Sequence, residues 1–153
     1  PQVSLAFYQP DIPQNIGAAM RLCACLGVPM HVIEPTTFAW KEQEFRRAGM
    51  DYVNHVTLTR HISWAAFDAA RKPNRLILVE TDGATPLWDF TFQSGDILML
   101  GRESAGTPPD IYKACDATIT IPMKAGVRSM NVVTAAALVL GEALRQTRFS
   151  RPT

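Results

Sequence analysis

Asp96-Ile97-Leu98-Met99-Leu100, followed at once by Gly101-Arg102-Glu103-Ser104-Ala105-Gly106, is the stretch that decides the fold. An apolar run with no polar alternation describes a strand covered on both faces, and the loop that follows it carries two glycines. Arg75-Leu76-Ile77-Leu78-Val79-Glu80 and Thr118-Ile119-Thr120-Ile121 are strands of the same kind. Upstream, Val3-Ser4-Leu5-Ala6-Phe7-Tyr8 reads as a strand, residues 9–14 with two prolines as a loop, and residues 15–26 as a helix closed by Gly27. The alternation continues through His31-Val32-Ile33, a short helix near 42–48, an extended segment at 54–58 and a helix near 64–70. Strands and helices taking turns predict an α/β fold, an open and mainly parallel sheet with helices on both faces.

Residues 131–147 form the longest helical candidate. Val132, Val133, Ala136, Leu138, Val139, Leu140, Ala143 and Leu144 lie nearly all round its cylinder, so it must be covered on most sides. The sheet covers one side, and a second copy of the chain is a reasonable cover for another.

The 153 residues suit one domain, spanning 1–153, and 47% apolar against 19% charged residues is a globular composition. The longest aliphatic run, around residues 132–140, is far shorter than the roughly 20 residues a bilayer crossing needs, so no membrane association is expected. Cys23, Cys25 and Cys115 are odd in number and lack a C-x-x-C pair, which argues against a disulfide framework or a zinc ribbon and for a reducing cytoplasm. His31, His55 and His61 have no metal-ligand spacing, and no metal is expected. The formal charge of +1 predicts no polyanion partner by itself, but eleven of the fifteen basic residues are arginine. A planar guanidinium suits bidentate phosphate contact and stacking; genomic bias gives the same count.

Three loops follow strands, where ligands bind in open α/β sheets. In the first, 10–17, Asn15 is read as a helix N-cap in a position that attracts anions, with Arg21 nearly two turns on and projecting from a similar side. In the second, 100–109, two glycines around Arg102-Glu103 allow close approach to backbone, but Thr107-Pro108 stand where a P-loop requires Lys and Ser or Thr. In the third, 121–131, Arg128, Ser129 and Asn131 gather where the long helix begins, as a cap or as a site. No G-x-G-x-x-G and no G-x-S-x-G is present, which weighs against dinucleotide binding and a hydrolase elbow.

Taken together, Asn15-Ile16-Gly17 with Arg21, Leu100-Gly101-Arg102-Glu103 with Gly106, and Ile121-Pro122-Met123 with Arg128-Ser129-Met130-Asn131 resemble the three signature motifs of the SPOUT, or α/β-knot, RNA methyltransferases. His31-Val32-Ile33-Glu34-Pro35, Phe38-Ala39-Trp40, Arg46-Arg47-Ala48-Gly49-Met50-Asp51-Tyr52 and Thr59-Arg60-His61 are similar to stretches of its TrmL-like group, which methylates the wobble ribose of tRNA. The resemblance covers nearly the whole chain. It implies a C-terminal deep trefoil knot, a homodimer packed through the first and last helices, and no separate RNA-binding domain.

It also implies S-adenosyl-L-methionine as methyl donor, with S-adenosyl-L-homocysteine as product. Backbone around Val79, Gly101 and Ile121 would hold adenine and ribose, with Leu100, Gly106, Met123, Ser129 and Met130 completing the pocket. Arg21, Asn15, Glu103, Ser129 and Asn131 match positions assigned to catalysis and RNA binding, and Arg46, Arg47, Arg60, Arg128, Arg145 and Arg148 are candidate phosphate contacts to a tRNA anticodon stem-loop. The implied reaction is transfer of a methyl group to the ribose 2'-hydroxyl of nucleotide 34, a cytidine or modified uridine. Two alternatives stand beside it: a non-catalytic RNA-binding knot protein, and a 2'-O-methyltransferase acting on another tRNA position or on rRNA. The chain departs from the group at Val133, where Ser is usual, and at Thr107, where Leu is common.

Overall fold

The computed structural model describes residues 2–36, 38, 55–127 and 130–148. Its elements in chain order are β1 (Ser4–Tyr8), α1 (Pro13–Leu26), β2 (Met30–Ile33), β3 (Leu58–His61), α2 (Trp64–Arg71), β4 (Leu76–Val79), β5 (Thr85–Pro86), a 3-10 turn (Leu87–Asp89), β6 (Ile97–Leu100), α3 (Pro109–Ala114), β7 (Ala117–Thr120) and α4 (Val132–Thr147). Seven strands form one sheet in the order β3-β2-β1-β6-β4-β7-β5, and every pairing is parallel. The parallel sheet inferred from continuous apolar strands is therefore the one observed.

Both faces are covered because successive side chains on a strand point to opposite sides. Leu5 and Phe7 pack with Ile16, Met20, Val139 and Leu140 under α1 and α4, whereas Ala6 and Tyr8 pack with Phe67 of α2 and Ile111 of α3. At the far side, the buried Arg71 guanidinium joins three segments. It donates to Asp68 (2.8 Å), to Asp116 (2.8 Å) and to the backbone oxygens of Asn74 and Ala114.

Several boundaries differ from the sequence expectation. α1 starts at Pro13, with Ile12 before it and no side-chain cap, so Asn15 is not the N-cap. Proline suits the first helical position, where its missing N–H is not needed. The extended segment expected at 54–58 lies later, at Leu58–His61, because an edge strand with exposed Thr59 and Arg60 carries little apolar signature. β5 and α3 were not foreseen: both contain prolines that read as loop but are tolerated at a sheet edge and at a helix start. The helix expected near 42–48 lies outside the described residues.

Gly27 ends α1 in the left-handed region (φ 65°), as its position past the last apolar residue requires. α4 buries Ala135, Ala136, Val139, Leu140, Ala143 and Leu144, while Ala137, Leu138 and Gly141 face outward. Its outer apolar side is thus left uncovered among the described residues, with Leu138 42% exposed. No helix among the described residues is long and apolar enough to cross a membrane.

Candidate active site

The carboxyl ends of β4, β6 and β7, at Val79, Leu100 and Thr120, open into a cleft of about 530 Å³. Ile12, Val79, Leu100, Ile121, Met123, Met130, Val132 and Ala135 give it an apolar lining, and Asn15, Glu80, Thr81, Arg102, Glu103, Thr120 and Asn131 supply polar groups. A volume in the range of roughly 300–1,000 Å³ with a few convergent polar groups is typical of cofactor sites.

One wall of the cleft is the segment after β4, drawn tightly against β7. The Glu80 N–H donates to the Ile119 oxygen (3.0 Å), the Ala84 N–H to Thr118 Oγ1 (2.9 Å) and Thr120 Oγ1 to the Thr81 oxygen (3.1 Å). A Cβ on Gly83 would lie 2.2 Å from the Ile119 oxygen, so only glycine permits this approach. The floor is Gly101, where a Cβ would meet Thr107 Oγ1 at 2.5 Å and Glu80 Oε1 at 2.6 Å. Thr107 Oγ1 itself donates to Glu80 Oε1 (2.6 Å), so the threonine has a definite role here. The loop closes at Gly106 (φ 68°), whose N–H donates to the Arg102 oxygen, while Arg102 Nε donates back to the Gly106 oxygen (3.1 Å).

All three loops meet through side chains. Asn131 caps α4, its Oδ1 accepting from the N–H groups of Val133 (2.9 Å) and Thr134 (3.2 Å). That leaves Asn131 Nδ2 to donate to Asn15 Oδ1 (3.2 Å), and so fixes Asn15 Nδ2 toward Glu103 Oε1 (3.2 Å). Glu103 Oε2 accepts the backbone N–H of Asp11 (3.2 Å), and Asp11 Oδ2 accepts from Ser104 Oγ. Burial raises the Glu103 carboxyl above its ordinary range, and its hydrogen bond with Asp11 pushes the same way. Asp11 is lowered, first by that same bond and then, against its burial, by Ser104.

Of the expected pocket residues, Val79, Leu100, Gly101, Gly106, Ile121, Met123 and Met130 line the cleft, and Ser129 lies outside the described residues. Asn15, Glu103 and Asn131 are joined in one chain of hydrogen bonds. Arg21 is exposed on α1 and is not part of the lining, since six residues advance a helix by about 600°, some 120° short of alignment. Arg60 pairs with Glu34 (2.6 Å), Arg145 with Glu142 (2.6 Å), and Arg148 donates to the Leu26 oxygen at the end of α1 (2.6 Å). Arg46, Arg47 and Arg128 lie outside the described residues. Val133 contributes its backbone N–H to the cap, which any residue except proline supplies.

Glu80, Thr81 and Arg102 lie in the segments 79–85 and 100–106 that the family resemblance assigns to the cofactor site but were not named individually, whereas Ile12, Thr120, Val132 and Ala135 were not anticipated as lining. The signal for Glu80 was its place directly after an apolar strand. No group of three or more potential metal ligands occurs among the described residues. Burial pushes the Cys23 and Cys115 thiols up to about 12, so neither is poised as a nucleophile.

Residues 2–141 match the model of the SpoU rRNA Methylase family. The chain is 54% identical over 144 residues to the tRNA (cytidine(34)-2'-O)-methyltransferase of Beijerinckia indica, covering 93% of this chain and 90% of that one. It is 42% identical over 149 residues to the protein of the same name in Escherichia coli K12, covering 96% and 95%. A solved structure presented as structural insights into the 2-OH methylation of C/U34 on tRNA superposes with a TM-score of 0.89 at 39% identity, covering 95% of each chain. The SpoU methyltransferase AviRb of Streptomyces viridochromogenes, solved in complex with the cofactor AdoMet, superposes with a TM-score of 0.81 at 27% identity, over 95% of this chain and 60% of that one.

Proposed function

Since the chain belongs to the SpoU rRNA methylase family, we propose that it transfers a methyl group from S-adenosyl-L-methionine to the ribose 2'-hydroxyl of nucleotide 34 in tRNA. The observation that carries this reading is the Asn131–Asn15–Glu103 chain of hydrogen bonds, which gathers three separate loops at the mouth of one apolar cleft. S-adenosyl-L-methionine, when bound, supplies a methyl group already activated by its sulfonium.

The fit of that cofactor rests on the cleft's apolar lining and on its glycine floor. Leu100, Ile121, Met123 and Met130 suit an adenine, and the backbone at Val79, Gly101 and Ile121 offers polar edges to base and ribose. Gly106 shapes the loop, and Ser129 completes the set assigned by family resemblance. Asn15 and Asn131 orient the acceptor ribose, and Glu103 holds Asn15 in the required direction. Aligning the 2'-oxygen is the main demand on the protein. Arg21 is essential in this reading, in a role that brings the acceptor ribose and its phosphate to the cleft.

Arg46, Arg47, Arg60, Arg128, Arg145 and Arg148 are the proposed phosphate contacts to the anticodon stem-loop, and binding should weaken steeply with salt. Residues 1–153 act as one methyltransferase domain, with the C-terminal part threaded as a deep trefoil knot, as is usual for this family. The chain works as a homodimer in the cytoplasm, where tRNA is. The uncovered side of α4, with Ala137, Leu138 and Gly141, supports the dimer.

The test is methyl transfer from labelled S-adenosyl-L-methionine to tRNA from a strain lacking the protein, with nuclease mapping of the product by mass spectrometry. A 2'-O-methyl group at position 34, lost in Arg21→Ala with cofactor affinity retained, is expected. Methylation elsewhere in tRNA or rRNA, or saturable RNA binding with no cofactor binding, would overturn the reading.

A further inference from the structure

We infer that Asp11 and Glu103 form a single proton-sharing carboxyl pair at the mouth of the cleft, in which Asp11 is a positioning residue that makes Glu103 the acceptor of the hydroxyl proton. The inference rests on the proposed methyl transfer for its chemistry, and on geometry for the adjacency of the two residues. Asp11 lies in the β1–α1 loop and Glu103 in the β6–α3 loop, and the Asp11 N–H donates to Glu103 Oε2 (3.2 Å). Ser104 Oγ donates to Asp11 Oδ2, which occupies one of the two carboxylate oxygens. The other, Oδ1, is buried and is the one buried side-chain polar atom among the described residues left without a hydrogen-bond partner.

An unpaired buried acceptor costs about 1–3 kcal/mol, and charged groups more. The bond from the Asp11 N–H to Glu103 Oε2 sets the two residues side by side, and a proton carried by Glu103 and donated to the Asp11 carboxyl would remove that cost. The singly protonated pair is then the satisfied state, and the doubly ionised pair is a base. The shifts described above, Glu103 upward and Asp11 downward, run in the direction this sharing requires.

The groups facing Glu103 agree. Asn15 Nδ2 donates to Oε1 from α1, and Asn131 lies behind Asn15 at the start of α4. Arg102, its neighbour in sequence, turns back to the Gly106 oxygen and sits 5.8 Å from the Tyr8 ring centroid. Among the described residues, then, Asp11 is the titratable group whose hydrogen bond acts on the Glu103 carboxyl.

Methyl transfer to a neutral hydroxyl must release one proton. As the new C–O bond forms, the sulfur keeps the electron pair of the S–C bond that breaks, and the O–H bond gives its proton to Glu103. Glu103 shares that proton with Asp11 and loses it to solvent afterwards, which restores the pair. No further reactant is needed.

The test is carbon-13 NMR of the side-chain carboxyl groups across pH in the full chain without RNA or cofactor, for the wild type and for Asp11→Asn. A shared proton makes both carboxyl resonances report both titration steps in the wild type, and Asp11→Asn leaves a single Glu103 step displaced to lower pH. Independent single steps in the wild type overturn the proposal, whether or not the variant folds. In the methyl-transfer assay, Asp11→Asn should lower kcat by about tenfold, part of the roughly 10²–10⁴ a general base supplies, and move the acid limb of the pH profile to lower pH. KM for the cofactor should stay within twofold. An unmoved pH profile with a raised cofactor KM would mean that Asp11 shapes the loop only. If the wild type methylates no RNA, the functional reading falls, and the titration alone decides on the pair.

Discussion

Gly101→Ala tests whether the floor of the cleft is set by close packing. The added Cβ would stand 2.5 Å from Thr107 Oγ1 and 2.6 Å from Glu80 Oε1, about 0.8–0.9 Å inside the 3.4 Å at which ordinary contact begins. Those two oxygens are joined by a 2.6 Å hydrogen bond, so neither yields without straining it. A hydrogen bond to a charged group is worth about 1.5–3 kcal/mol, and overpacking costs about 1–3 kcal/mol. With partial relaxation of the side chains, the net loss is about 2 kcal/mol. For a chain of this size that lowers Tm by about 4–8 °C. Since Glu80 and Gly101 both line the cleft, cofactor affinity should fall by at least about tenfold, the equivalent of about 1.4 kcal/mol. Differential scanning calorimetry and titration calorimetry with S-adenosyl-L-methionine measure the two effects. Thr107→Ala, which removes the bond without adding volume, should show a smaller loss in both. An unchanged Tm together with affinity within twofold in Gly101→Ala would refute the packing argument.

Arg71→Met removes the guanidinium that joins α2 to the starts of β4 and β7 and leaves Asp116 without its ion pair; with Asp116 half exposed, a loss of about 2–3 kcal/mol in urea unfolding is expected. The His31 and His61 rings meet at 3.0 Å, and burial followed by the neighbouring His61 lowers His31 to about 4. The folded chain therefore binds fewer protons than the unfolded one between about 6.5 and 4, and stability falls as pH drops through that window and levels off below it. Allowing for solvent screening, the loss is about 1–2 kcal/mol, and His31→Gln should flatten the dependence of the urea midpoint on pH. Leu138→Lys places a charge on the uncovered side of α4 and should yield a monomer by sedimentation at micromolar concentration, with little change in secondary structure; an unchanged dimer would move the interface elsewhere.

Residue order alone determined the strand class. Runs such as Leu76-Ile77-Leu78-Val79 and Ile97-Leu98-Met99-Leu100 can only be stable when both faces are covered, and that condition implies a parallel sheet with helices on either side. The family motifs were equally legible, because each lies within one short segment. What depends on distant segments was not. Whether Asn15 capped its own helix or turned to Glu103, 88 residues away, depended on where α1 began and on how Asn131 used its amide. Glu80 and Thr107 became partners only when β4 and β6 were laid side by side, and Asp11 acquired its significance only when the loop carrying Glu103 closed over it. Hydrophobic periodicity is a local property of the chain, whereas hydrogen-bond partners and carboxyl protonation are set by atoms that only the tertiary structure brings within reach.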